Sequence, residues 1–142
     1  MTINEKQDAL VEDFEFFNEW EEKYKYIIDL GKDLPLIAEE FKTEDNIIRG
    51  CQSRVWLHVD YKDGKLFFTA DSDAVITKGL VSMVVDVLSG HDPKEIVDAE
   101  VYFIDKIGLK SHLSPTRSNG LLSMLKQIKM YAVAYLSKSL QS

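Results

Sequence analysis

One thiol carries most of the chemistry this sequence can offer. Cys51 is the only cysteine among 142 residues and stands in the run Arg49-Gly50-Cys51-Gln52-Ser53. A lone thiol closes no intramolecular disulfide and supplies too few ligands for a tetrahedral zinc or an iron–sulfur cluster. It can act as a nucleophile or carry a group covalently. Gly50 permits a turn with φ > 0 just ahead of it, so the thiol reads as lying at a loop tip. A buried structural cysteine is the alternative; the glycine, arginine and polar neighbours argue for the loop.

A thiol reacts as thiolate, with an ordinary pKa of about 8.5, so a nearby cation helps near neutral pH. Arg49 and Arg54 are close in sequence, and Arg117 can arrive from a distant loop. A Cys/His hydrolase needs one of His58, His91 or His112 beside Cys51. His58 lies seven residues on in an expected strand, about 20 Å away at roughly 3.3 Å per residue. The other two fall in loops, and solvated or hydrogen-bonded roles suit all three better. No C-x-x-C or H-E-x-x-H spacing points to a metal site, and no G-x-G-x-x-G or G-x-x-x-x-G-K-[ST] points to a nucleotide. Lys78-Gly79 falls mid-helix, and Trp56, Phe67 and Phe68 read as core rather than as a base-stacking platform.

Charge narrows the partners. Lys plus Arg is 17 against 24 Asp plus Glu, a net charge of −7. That balance disfavours nucleic acid and anionic membrane surfaces, both of which need a basic stripe. The start, Met1 to Lys6, has neither the basic nor the apolar region of a signal peptide, and no apolar run nears the roughly 20 residues of a membrane span. The cytoplasm is the expected compartment, and residues 1–142 read as a single domain.

The elements that must position Cys51 follow from periodicity. Thr2 and Glu5 have capping-box spacing for a first helix with Leu10, Phe14 and Phe17 on one face. A second helix buries Trp20, Tyr24, Ile27 and Ile28 and ends near Gly31, with Pro35 beyond. A short helical piece spans Leu36 to Phe41, and a polar loop from Lys42 to Gly50 delivers the thiol. Val55, Leu57, Val59 and Tyr61 alternate with Trp56, His58 and Asp60 in a strand; Lys62-Asp63-Gly64-Lys65 is a hairpin turn, and Leu66 to Ala70 returns. Asp71, Ser72 and Asp73 offer N-cap oxygens for a helix burying Ile76, Leu80, Met83, Val84, Val87 and Leu88 up to Gly90. Gly79 inside it implies close approach of another backbone or a partner. Asp92-Pro93 opens a short helix. Val101 to Phe103 fits a third strand or a helical turn. Ser114-Pro115 and Ser118 compete to start a last helix with Leu121, Leu125, Ile128, Ala132 and Tyr135 on its apolar stripe. The class is α+β: a small curved antiparallel sheet of about three strands packed by helices.

Four stretches together resemble the SufE family of sulfur-acceptor proteins. They are Trp20 to Tyr24 with Tyr26 to Gly31; Arg49 to Ser53 with Val55-Trp56; Asp71 to Ala74 with Ile76 and Lys78 to Leu80; and Leu113 to Leu121. The resemblance covers roughly Leu10 to Tyr135 and implies a fold shared with IscU-type cluster scaffolds, which need several ligands where this chain has one thiol. It implies that Cys51 takes sulfane sulfur from the persulfide of a PLP-dependent cysteine desulfurase of the SufS kind, activates it, and passes sulfur to a SufBCD-like iron–sulfur scaffold complex. The PLP belongs to the partner, and the chain itself needs no cofactor or metal. Partner contacts are implied for Arg117, Asp73, Gly50 and Gln52, with a loop from Thr43 to Ser53 that swings out on docking. For Asp73 an N-cap, and for Arg117 a bridge to a carboxylate, remain the plain alternatives. A stand-alone thiol enzyme (hydrolase or peroxidase) and a subunit with an inert cysteine are the competing functions. Lys126, Lys129 and Lys138 make the last helix more basic than in many relatives. A monomer is the simplest expectation. A carrier gains from a shielded thiol, with Val55, Leu57 and the Ala74–Leu88 helix as walls. Cys51, Asp71–Ala74 and Leu113–Gly120 should share one face.

Overall fold

The computed structural model describes residues 1–51 and 53–141, the side chains of 139–141 excepted. Among the described residues the α-helices and β-strands follow in the order α1 (Ile3–Glu15), α2 (Trp20–Leu30), β1 (Val55–Lys62), β2 (Lys65–Ser72), α3 (Val75–Leu88), α4 (Pro93–Asp98), α5 (Phe103–Ile107), α6 (Leu109–His112) and α7 (Pro115–Gln141). Two antiparallel strands form the sheet, paired from Val55↔Ser72 to Lys62↔Lys65. Asp63 and Gly64, at φ 53° and 79°, make the turn, as the Asp-Gly pair requires.

Among the described residues the expected third strand is absent, and Gln7 supplies the reason. Its buried side-chain oxygen accepts from the amides of Tyr102 (2.8 Å) and Phe103 (3.2 Å), and its Nε2 donates to the Glu100 carbonyl (3.0 Å). Those backbone groups are satisfied by one side chain of α1 rather than by a strand neighbour, and α5 begins at Phe103. The sheet is instead extended by isolated bridges: Leu36 to Ala70, Ile47 to Trp56 and Leu66 to His91. Leu36 is therefore extended, and only Glu39–Phe41 of the expected helical piece curls, as one 3-10 turn.

α3 is the central helix and is buried nearly all round, including Val81, Ser82 and Val85 beyond the expected stripe. α2 crosses it with backbone close against backbone. A Cβ on Gly79 would lie 2.0 Å from the Ile27 carbonyl oxygen, and one on Gly31 would lie 3.1 Å from the Gly79 nitrogen. Gly79 thus answers to another backbone. Gly31 has helical φ of −60° and is small for packing, not for a left-handed turn. The capping boxes Thr2/Glu5 and Asp92/Glu95 both form. Ser114, not Ser118, starts α7: its Oγ accepts from the Arg117 amide at 3.2 Å. Lys129 of α7 donates to the carbonyls of Val97 and Ala99, so this lysine serves the end of α4.

The outer face of the hairpin is covered by the chain before Cys51. Phe41 stacks on His58 at 3.9 Å, and Lys42 lies over the Trp56 ring while bonding Asp71 at 2.7 Å. Lys78 reaches the same carboxylate at 3.4 Å. This clasp ties residues 39–48 to the sheet immediately upstream of the thiol.

Candidate functional site

Cys51 sits in a tight loop whose base is fixed on both sides. The Ile48 amide donates to the Val55 carbonyl at 2.8 Å, so buried Ile48 already pairs with the strand. Asp73 accepts from the Arg54 amide at 3.0 Å through Oδ1, and its own amide donates to the Arg54 carbonyl at 3.3 Å. The anchors at Ile48 and Arg54 thus stand closer together than the ends of the Thr43–Ser53 loop expected, because Glu44–Asn46 form a 3-10 turn and Ile48 is held. Asp73 is not the N-cap of α3; Ala74 occupies that place without a side-chain cap. Asp73 instead pins the downstream root of the Cys51 loop.

The loop turns inward at Gly50, whose φ of +89° suits glycine. A Cβ there would also lie 3.0 Å from Ser123 Oγ of α7. Cys51 itself rests on α7 at Gly120. A Cβ on Gly120 would lie 3.0 Å from Cys51 Sγ and 3.2 Å from its Cα, and the thiol lies 3.7 Å from the Gly120 carbonyl oxygen, as donor to it. The Cys51 side chain faces a cavity of about 20 Å³ lined by Val55, Leu80, Val81, Leu121 and Met124, with Thr77 and Arg117 as its polar members. That is room for about one water-sized atom. Ser53 Oγ lies 3.5 Å from Thr77 Oγ1 and closes the loop side.

Burial alone pushes the Cys51 thiol above its ordinary pKa. Arg117 lines the same cavity but does not offset that effect, and Arg49 and Arg54 are exposed. Burial thus favours the neutral thiol, the less nucleophilic form. No histidine stands by. His58 packs on Phe41 and bonds Asp60 at 3.1 Å, buried His91 bonds Glu95 at 3.3 Å, and His112 stacks on Trp20 at 3.7 Å. Among the described residues, no group of three or more His, Cys, Asp or Glu gathers as for a metal.

Comparison with known proteins decides the family. The SufE model, described as the Fe-S metabolism associated domain, matches residues 8–132. The chain belongs to the SufE family. A SufE-like protein of Rhizobium meliloti is 46% identical over 131 residues, covering 88% of this chain and 93% of that one. Another from Rhizobium etli is 45% identical over 127 residues, covering 86% of each. The solution structure of a hypothetical protein from Thermus thermophilus superposes with a TM-score of 0.77 at 19% identity, over 93% of this chain and 96% of that one, a likeness of fold.

On this SufE fold the residues singled out from sequence divide. Cys51 and Arg117 line one cavity, Gly50 packs on α7, and Asp73 reaches the loop root through Arg54. Gln52 lies outside the described residues. Leu57 is buried but does not line the cavity; Val55 does, with Thr77, Leu80 and Val81 of the helix expected as a wall and Gly120 at the end of the Leu113–Gly120 stretch, while Leu121 and Met124 are lining residues that sequence reasoning missed. A glycine six residues into a helix, at the cost of about 1 kcal/mol against alanine, was the signal for Gly120. Among the described residues no helix is long and apolar enough to cross a membrane.

Proposed function

We propose that Cys51 is a sulfur acceptor and carrier that takes sulfane sulfur from a PLP-dependent cysteine desulfurase, relieves it of product, and hands the sulfur to an iron–sulfur scaffold complex. The observation that carries this reading is the seat of the sole thiol. It lies at the tip of a short loop, beside an apolar cavity with space for about one more atom of sulfur's size.

The chemistry is thiol exchange at sulfur. Cys51 Sγ, once out of the cavity, loses its burial penalty and returns toward the ordinary thiol pKa, where a few per cent is thiolate at pH 7. The thiolate attacks the terminal sulfur of the donor persulfide. A bond forms between Cys51 Sγ and that sulfur, the donor's S–S bond breaks, and the donor cysteine leaves as thiolate. No net oxidation occurs: one persulfide is consumed and one is made. Folding the loop back would place the new sulfur in the cavity, away from bulk thiols. The second exchange, to the scaffold, repeats the same bond changes. The desulfurase turns over faster because its persulfide is cleared by a protein thiol.

The Cys51→Ser variant tests this. It removes the nucleophile with little change in volume. The expected result is loss of desulfurase stimulation with an unchanged circular dichroism spectrum and melting temperature. Wild-type stimulation by the serine variant, without added reductant, would refute the carrier role.

A further inference from the structure

Three arginines are present in this chain: one lines the Cys51 cavity and two are close neighbours of the thiol in sequence. Arg49 and Arg54 flank the thiol in the loop, and Arg117 lines its cavity from the first turn of α7. Arg49 and Arg54 are exposed. Among the described residues none of the three makes an ion pair, whereas Lys6, Lys42, Lys78 and Lys94 all find carboxylates. Glu44 and Asp45 line the same groove as Arg49 without pairing with it. Asp73 spends its carboxylate on the Arg54 amide. Among the described residues, then, the arginine of the cavity and the two that flank the thiol in sequence are without ion pairs, in a chain of net charge −7.

The placement has a physical consequence. At physiological salt the Debye length is about 8 Å, so carboxylates far from the loop are largely screened there, and an approaching surface meets the charges that flank the loop, the three arginines among them. Guanidinium suits carboxylates because its planar fork donates two parallel bonds. An acidic surface would be repelled by most of this molecule and accepted where the arginines stand. We propose that Arg49, Arg54 and Arg117 form a guanidinium collar that docks the carboxylate-bearing rim around the persulfide of the sulfur-donating protein. This rests on the sulfur-acceptor reading for the occupant, while the charge around the thiol is independent of it.

Two arms test it on the full chain. The first uses small reagents: the rates at which Cys51 exchanges with dianionic dithiobis(nitrobenzoate) and with neutral dithiodipyridine. The Arg49→Gln/Arg54→Gln variant should lower the anionic-to-neutral rate ratio about tenfold at roughly 10 mM salt, the scale of local steering, and the difference should shrink at 0.5 M. A Lys62→Gln/Lys65→Gln control loses the same charge at the far end of β1, roughly 20 Å from Val55 at about 3.3 Å per residue, and should keep the wild-type ratio. Equal ratios in wild type and the arginine variant would overturn the collar. The second arm measures association with the cysteine desulfurase by stopped flow. The arginine variant should associate about tenfold more slowly at low salt, with the lysine control unaffected. Unchanged association, with a positive first arm, would overturn the acidic rim as occupant. If wild type neither binds the desulfurase nor takes its sulfur, the acceptor reading and the assigned occupant fail, and the reagent arm still decides the collar.

Discussion

Gly120→Ala separates the stability of the fold from the seating of the thiol. The added Cβ would lie 3.0 Å from Cys51 Sγ, 3.2 Å from its Cα and 3.4 Å from its Cβ. The first two are tighter than ordinary van der Waals contact, and one is backbone, so the loop must give way by a few tenths of an ångström. Two opposing effects act on different states. Replacing a helical glycine by alanine gains about 1 kcal/mol whether the loop is in or out. Overpacking costs about 1–3 kcal/mol, and only while the loop is in. Global stability should therefore stay within about 2 kcal/mol of wild type. The in–out balance of the Arg49–Ser53 loop should shift outward by the full clash, about 5- to 150-fold. The assay is the alkylation rate of Cys51 by a bulky maleimide under native conditions, normalised to the rate in urea, beside a thermal melt. The reasoning predicts a rate increase of at least fivefold with a melt that moves by a few degrees. A wild-type alkylation rate with a markedly lowered melting temperature would refute it, since α7 rather than the loop would then be absorbing the clash.

Two further perturbations follow from the same geometry. Asp73→Ala removes the 3.0 Å bond to the Arg54 amide and should raise the maleimide rate several-fold, while Asp73→Asn, which keeps an acceptor oxygen, should restore it; no difference between the two variants would show that the bond does not hold the loop. Burial raises the Cys51 pKa, so the alkylation rate of the native protein should reach half its maximum above the ordinary value of about 8.5 and return toward it in Gly120→Ala. The sign follows from the neutral thiol being favoured in the fold: this stabilisation is full below the ordinary pKa and fades as pH rises through the raised one. A midpoint at or below about 8.5 in the native protein would contradict the burial argument.

What the sequence revealed, and what it did not, follows from the range of the interactions involved. Local signals read correctly: the Thr2/Glu5 capping box, the Asp92-Pro93 helix start, the Asp63-Gly64 hairpin turn, and the presence of a helix after Asp73. Gly79 announced a close backbone, and Ile27 is that backbone. Four readings turned on contacts between distant parts of the chain. Gln7 takes the amides of Tyr102 and Phe103, so a segment with strand-like residues starts a helix. Asp73 looks like a helix cap by position, but Arg54 reaches it first because β1 and β2 bring their ends together. The cavity at Cys51 is built half from α7, and no periodicity in Leu121 or Met124 says which loop they will face. Lys129 appears in sequence as part of a basic helix, yet it caps the end of α4.

Intact-protein mass spectrometry tests the central claim most directly. The chain is incubated with a cysteine desulfurase and free cysteine, then measured without reductant and mapped by digestion. Sulfur acceptance predicts a gain of one sulfur, about 32 Da, confined to the peptide with Cys51, removed by dithiothreitol and absent from Cys51→Ser. An unmodified Cys51, with the desulfurase persulfide formed and retained on the partner, would contradict it.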